Sequence, residues 1–137
     1  MTYTDASRAR LAMSFEACEL SDLARAMVPI DTTFDGAALA DATQVLAAAR
    51  RFLDAAVVFE RAGGASWQLV GDVLGLSAAE ARDRFEAAEA GFRNRLRSTD
   101  GGWRAYLIRE PLEAAEDLDH WVGGSAAAVS GGLERTG

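Results

Sequence analysis

Apolar residues spaced three and four apart run through residues 37–62, without a Gly or Pro between them. This repeat places side chains along one side of an α-helix. The stripe consists of Leu39, Ala42, Leu46, Ala49, Leu53 and Ala56, and Val45, Phe52 and Phe59 widen it. Such a broad face needs more than one neighbour. We therefore expect an all-α single domain built on this long central helix, with some of the helix surface left for a second protomer. Gly63 and Gly64 end the helix.

A second helical stripe precedes the long helix. Thr4 and Asp5 can cap it, and Pro29 stops it. Its apolar residues are Leu11, Phe15 and Cys18, continued by Leu20, Leu23 and Met27. Whether Ser21 and Asp22 start a separate short helix stays open. Residues 30–36 form a connection of turn-type residues, in which Asp35 is a candidate cap for the long helix.

Two serine caps and a glycine organise residues 66–97. Ser66 caps a short helix, Gly75 supplies a left-handed turn residue, and Ser77 caps the next helix. Gly71 lies one turn before Gly75, where steeply crossing helices leave room only for a small side chain. Trp67, Val70 and Leu74 share a face of the first helix, and Ala81, Phe85, Ala88, Phe92 and Leu96 form the stripe of the second. Two short helices meeting at a glycine corner are typical of a helix-turn-helix.

These residues resemble a segment common in small actinobacterial DNA-binding proteins, Gly-Ala-Ser-Trp-x-x-Ile-Gly-x-x-Leu-Gly-Val-Ser-Arg-Gln-Ala-Ala-x-x-Arg-Phe. The matching positions are Gly64, Ala65, Ser66, Trp67, Gly71, Leu74, Gly75, Ser77, Ala81, Arg84 and Phe85, with Val70 and Leu76 as conservative replacements. The resemblance covers only residues 64–85. It implies a recognition helix that starts at Ser77 and enters the major groove. The family's Arg-Gln pair is replaced by Ala78 and Ala79, which lack donors for bases and phosphates.

The net charge of the chain argues against tight, sequence-independent DNA binding. The chain carries 14 basic and 21 acidic residues, a net charge of −7. A duplex repels acidic groups, but screening confines each charge to about 8 Å at physiological salt, so a locally basic face can still bind. Arg93, Arg95 and Arg97, followed by Arg104 and Arg109, form the only positively weighted stretch. Every basic residue is Arg and none is Lys, which points to a bacterium with a GC-rich genome.

The sequence predicts a small cytoplasmic, transcription-associated protein that binds double-stranded DNA. A homodimer is expected, because one short recognition helix with so few donors would bind weakly. The predicted DNA-binding residues are Gln68, Ser77, Ala78, Ala79, Arg82, Arg84, Arg93 and Arg97. Most of these contacts would be to phosphates. The alternative is a non-catalytic protein-interaction adaptor, in which the motif is only structural and the long helix or an acidic last helix engages a partner.

The arginines also have a purely structural interpretation. Basic residues near the end of a helix complement its dipole. Arg82, Glu86, Glu89 and Arg93 are expected on the exposed face of their helix, where they can pair with one another. The acidic residues of the predicted last helix, 112–122, likewise suit its first turn, and Pro111 suits its start. In either interpretation, we expect the helical domain to span residues 1–122, with the helix-turn-helix at 66–97, and residues 123–137 to form a disordered tail.

Catalytic and cofactor signals are weak, so we expect neither an enzyme nor a cofactor. His120 near Asp117 lacks the further ligands that a metal site needs. Cys18 is alone, which excludes an internal disulfide, and its apolar neighbours indicate a small buried residue. No apolar run approaches the roughly 18 residues of a membrane span, so no membrane partner is expected.

Overall fold

The structure, a computed structural model, describes residues 4–30 and 34–97 of the 137. Every regular element in these two ranges is an α-helix, which confirms the all-α class for this part of the chain. The helices are α1 (Asp5–Arg25), α2 (Ala37–Ala62), α3 (Trp67–Leu74) and α4 (Ala78–Arg97). None of these four is long and apolar enough to span a membrane. The predicted last helix, the predicted tail and His120 lie outside the described residues.

Helices α1 and α2 pack side by side in opposite directions. Ala9 near the start of α1 packs against Val58 near the end of α2. Further along, the guanidinium of Arg51 reaches back to Glu16, with 3.5 Å between Nε and Oε2, and to Glu19, with 3.2 Å between Nη2 and Oε1. Helix α1 continues through Ser21 and Asp22 to Arg25, so no separate short helix starts there.

Of the two caps predicted for α1 and α2, one is confirmed and the other is wrong. Thr4 caps α1 as expected, because its Oγ1 accepts a hydrogen bond from the Ser7 N–H at 3.1 Å. The prediction that Asp35 caps α2 is wrong. The N-cap is Gly36, whose φ of 87° is left-handed, a conformation that favours glycine. The chain therefore enters α2 through backbone geometry and not through a side-chain acceptor.

Two apolar clusters form the core of the described part of the chain, and adjacent residues of α2 contribute to both. Val58 belongs to the first cluster and Val57 to the second. The first joins α1, α2 and α4 through Ala9, Val58 and Phe92, with Ala12, Phe59, Ala88 and Leu96 around them. The second joins α2, α3 and α4 through Val57, Val70, Ala81 and Phe85, with Leu53, Trp67, Leu74 and Leu76 around them. Helix α4 thus lies across the last third of α2 and holds α3 against it.

The first half of α2 has a different surface. Leu39 and Leu46 belong to the predicted apolar stripe, yet both are exposed. Val28, Ile30 and Phe34 in the connection between α1 and α2 are exposed as well. We call Val28, Ile30, Phe34 and Leu39 the apolar tip. Because α1 and α2 are antiparallel, this tip lies at the end of the helix pair opposite α3 and α4.

Candidate functional site

The turn between α3 and α4 is built on two glycines. Gly75 ends α3 with φ 73°, and the Leu76 N–H donates to the Gly71 carbonyl oxygen at 2.8 Å. A Cβ on Gly71 would lie 2.5 Å from the Leu76 oxygen and 3.0 Å from that of Ser77. The prediction that only a small side chain fits at position 71 is confirmed. The close neighbour is the backbone of the turn itself.

Serine side chains start both helices of this pair, as predicted. Ser66 Oγ accepts from the Leu69 N–H at 3.1 Å, and Ser77 Oγ accepts from the Glu80 N–H at 3.1 Å. The Glu80 carboxylate in turn accepts from the Ser77 N–H at 3.2 Å. This reciprocal pair is a capping box, which sequence reasoning had not identified although Ser77 and Glu80 have the required spacing. Glu80 is therefore placed where the helix dipole favours a negative charge.

Arg61 holds the helix pair onto the end of α2. Its Nε donates to Glu89 Oε2 at 2.8 Å and its Nη2 to Glu89 Oε1 at 3.4 Å. Its Nη1 donates to the Ala65 carbonyl oxygen at 2.9 Å, and its guanidinium carbon lies 4.2 Å from the centre of the Trp67 ring. One side chain thus joins α2, the loop before α3, the first residue of α3 and the middle of α4.

We call these contacts of Arg61 with Glu89, Ala65 and Trp67 the clamp, and the sequence analysis did not predict it. It placed Glu89 on the exposed face of its helix, but the Glu89 side chain is only 17% exposed. The signal was present in the spacing, because Glu89 follows Ala81 and Phe85 at four-residue intervals and so continues the buried side of α4. The rest of that expectation is confirmed: Arg82 and Glu86 are exposed and pair at 3.7 Å.

Three of the predicted DNA-contacting arginines lie on one side of α4. Arg82, Arg93 and Arg97 are separated by eleven and four residues, close to whole numbers of helical turns, and all three are exposed. We call them the arginine side of α4. Arg93 also pairs with Glu89, with 3.5 Å between Nη1 and Oε1, which connects this side to the clamp.

Arg84 is separated from that side. It follows Arg82 by two residues, about 200° around the helix. Its guanidinium carbon lies 4.9 Å from the centre of the Phe85 ring, and its charge acts on Asp54 of α2. Burial raises the pKa of the Asp54 carboxyl above its ordinary 3.8, and the positive charge of Arg84 partly opposes that rise. The side chain of Arg84 thus interacts with α2.

The remaining predicted residues surround the start of α4. Gln68 is exposed and donates through Nε2 to Asp72 at 2.8 Å. Ala79 is exposed and Ala78 is half-buried. A shallow depression of about 450 Å³ is lined by Trp67, Ala78, Ala79, Arg82, Asp83 and Glu86. Because its charged side chains are one guanidinium and two carboxylates, the depression carries a negative charge.

A second concavity lies between α1, α2 and α4. This cavity of about 170 Å³ has Glu16, Arg51, Asp54 and Arg95 among its lining residues. Glu16 is buried and lies opposite Arg51. Opposite charges therefore line the cavity, and the Glu16–Arg51 pair lowers the electrostatic cost of burying Glu16.

In residues 4–30 and 34–97, little favours a catalytic nucleophile or a metal site. Cys18 is half-buried, and the pKa of its thiol is raised by burial and by the nearby charge of Asp22. A raised pKa reduces the thiolate fraction that a nucleophile needs. Within these ranges no group of three or more His, Cys, Asp or Glu residues is placed to hold a metal ion.

Comparison of the chain with protein-family models, with curated proteins and with solved structures found no match in any of the three.

Proposed function

We propose that α3, the Gly75 turn and α4 form a helix-turn-helix through which this protein binds double-stranded DNA. The supporting observation is the close turn at Gly71, which holds two capped helices together while the N-terminal part of α4 remains exposed. A helix offered in this way can enter the major groove. In this proposal the chain is a small transcription-associated protein of the bacterial cytoplasm, from an actinobacterium or another organism with a GC-rich genome.

The contacts would be mainly to phosphates. The arginine side of α4 supplies guanidinium groups, Gln68 lies near the start of α3, and Ser77 caps the start of α4. Ala78 and Ala79 offer methyl groups, which suit contact with the thymine methyl and cannot make the forked hydrogen bonds that read guanine or adenine. Asp83 and Glu86 repel phosphates. We therefore expect weak binding by a single copy.

A homodimer offsets this weakness by engaging two half-sites at once. The apolar tip supports a second copy as partner, because it leaves four large side chains exposed at one end of the helix pair. The tip lies away from α4, so pairing through it would leave both α4 helices exposed.

The test is fluorescence polarisation of labelled genomic fragments between 50 and 200 mM salt. Each arginine that neutralises a phosphate contributes about 0.9 to the slope of log affinity against log salt. Arg93→Ala and Arg97→Ala should each lower that slope by about one unit. Arg50→Ala removes an exposed arginine of α2 as the matched control and should leave the slope unchanged. Absence of salt-sensitive binding by the unmodified protein would count against the proposal.

A protein-interaction adaptor is the second candidate function. The observation that favours it is the negatively charged depression beside Trp67, which suits a basic protein surface better than a phosphate backbone. The double substitution Asp83→Asn with Glu86→Gln distinguishes the two. It should strengthen DNA binding several-fold if α4 contacts DNA, because it removes repulsion and releases Arg82 from its pair. If the protein is an adaptor, the double variant should still show no DNA binding.

A further inference from the structure

Helix α3 has a second apolar side that the described helices leave open. Leu69 is 50% exposed and Val73 is 76% exposed, and they lie four residues apart, one turn along α3. They border a groove of about 280 Å³ between α2 and α3. The groove lining is Leu53, Ala56, Val57, Glu60, Ala65, Leu69, Val70, Val73 and Leu74. Among these residues Glu60 alone is charged, so the groove suits an apolar occupant.

We propose that residues 111–122 of this same chain dock in this groove. Leu112, Ala115, Leu118 and Val122 recur there at three- and four-residue spacing, which places them along one side if the segment is helical. The acidic residues of the segment, Glu113, Glu116, Asp117 and Asp119, fall between them. The inference goes beyond DNA binding and does not depend on it.

The dimensions agree with this occupant. A cavity of about 150 Å³ holds a benzene ring, so 280 Å³ accommodates two branched aliphatic side chains. Leu118 and Val122 have the same four-residue spacing as Leu69 and Val73.

The chain can also reach the groove. Phe85 packs in the same cluster as Val57 of the groove, and α4 continues for about 18 Å from Phe85 to Arg97. The 14 residues from Arg97 to Pro111 span up to about 46 Å when extended, which exceeds the length of that part of α4.

A second copy is a poorer match to this groove. A stable homodimer buries about 800 Å² on each partner, whereas the open part of the groove consists mainly of Leu69 and Val73. The tethered segment, in contrast, is present at an effective concentration of about a millimolar. A small apolar surface is enough to hold an occupant at that concentration.

Disulfide trapping in the full chain tests the proposal. In a Cys18→Ala background, Val73→Cys is combined with Leu118→Cys and the protein is oxidised at low micromolar concentration. We expect an intrachain disulfide that migrates as a monomer. The control combines Val28→Cys with Leu118→Cys, because Val28 at the apolar tip is 75% exposed against 76% for Val73. The control should form its intrachain product at least tenfold more slowly.

A matched pair of single substitutions gives an independent measurement. Leu69 is 50% exposed and Leu46 is 51% exposed, each in a helix. If the groove is occupied, Leu69→Gln lowers the denaturant midpoint of the full chain and Leu46→Gln lowers it less. Two outcomes would overturn the proposal: equal disulfide rates for the test and control pairs, or equal midpoints for the two glutamine variants. Interchain disulfides from Val73→Cys alone would also overturn it, because they would show a second copy in the groove.

Discussion

Gly71 and Gly91 both lie inside helices, yet alanine at the two positions should have opposite effects. A Cβ at Gly71 meets backbone oxygens at 2.5 and 3.0 Å, whereas a Cβ at Gly91 meets only the Nη1 atom of Arg95 at 3.5 Å. Gly71→Ala should lower the free energy of unfolding by about 1–3 kcal/mol, because the turn must open. Gly91→Ala should raise it by about 0.5–1 kcal/mol, the usual gain in a helix. Urea denaturation measures both, and a stable Gly71→Ala protein would contradict the tight turn.

The Asp54 carboxyl should make the folded protein less stable as the pH rises. Its pKa is raised above 3.8 in the folded protein, chiefly by burial, so the folded state binds more protons than the unfolded state just above that pH. The free energy of unfolding therefore falls as the pH increases from 3.8 through the raised pKa. Asp54→Asn should be more stable than the unmodified protein at neutral pH, and the difference should vanish below pH 3.8. Urea titrations across this range provide the measurement; a constant difference would contradict the assignment.

At the scale of the helices, Arg61 should be the most important ion-pairing residue for holding α3 and α4 on α2. The side chains of Arg61 and Glu89 are 25% and 17% exposed, whereas those of Arg82 and Glu86 are 61% and 56% exposed. Arg61→Lys removes the two-point contact with Glu89 and the bond to Ala65, so we expect a loss of roughly 2 kcal/mol. Arg82→Lys should cost less than about 0.5 kcal/mol. Equal losses in denaturant titrations would show that the clamp does not stabilise the fold.

Local signals at element ends were readable from the sequence for a physical reason. Ser66 and Ser77 cap their helices through atoms three residues away, and Gly75 adopts its left-handed conformation because the turn requires it. Such interactions need no knowledge of the tertiary structure. The error at Asp35 arose because a backbone-only entry through Gly36 and a side-chain cap are both compatible with the same residues.

At the scale of the whole molecule, the apolar tip should determine the oligomeric state. Val28→Ser combined with Leu39→Ser removes two of its exposed side chains. If two copies pair there, sedimentation should change from a dimer to a monomer and the affinity for DNA should fall. Val73→Ser, which changes an equally exposed valine at the opposite end, should leave the mass unchanged. A monomeric unmodified protein, or a double variant that stays dimeric, would contradict pairing through the tip.

The division between sequence and tertiary structure follows the range of the interactions. By itself the sequence determined the helical class within the described residues, the start of α1, and the capped glycine turn between α3 and α4, because these depend on contacts within about one helical turn. The crossing of α4 over α2 decided the rest. It brought Arg61 of α2 against Glu89, 28 residues away, placed the charge of Arg84 near Asp54 of α2, and left one side of α3 open. Such outcomes depend on how helices distant in sequence meet, and one-dimensional spacing does not record the angle at which they cross.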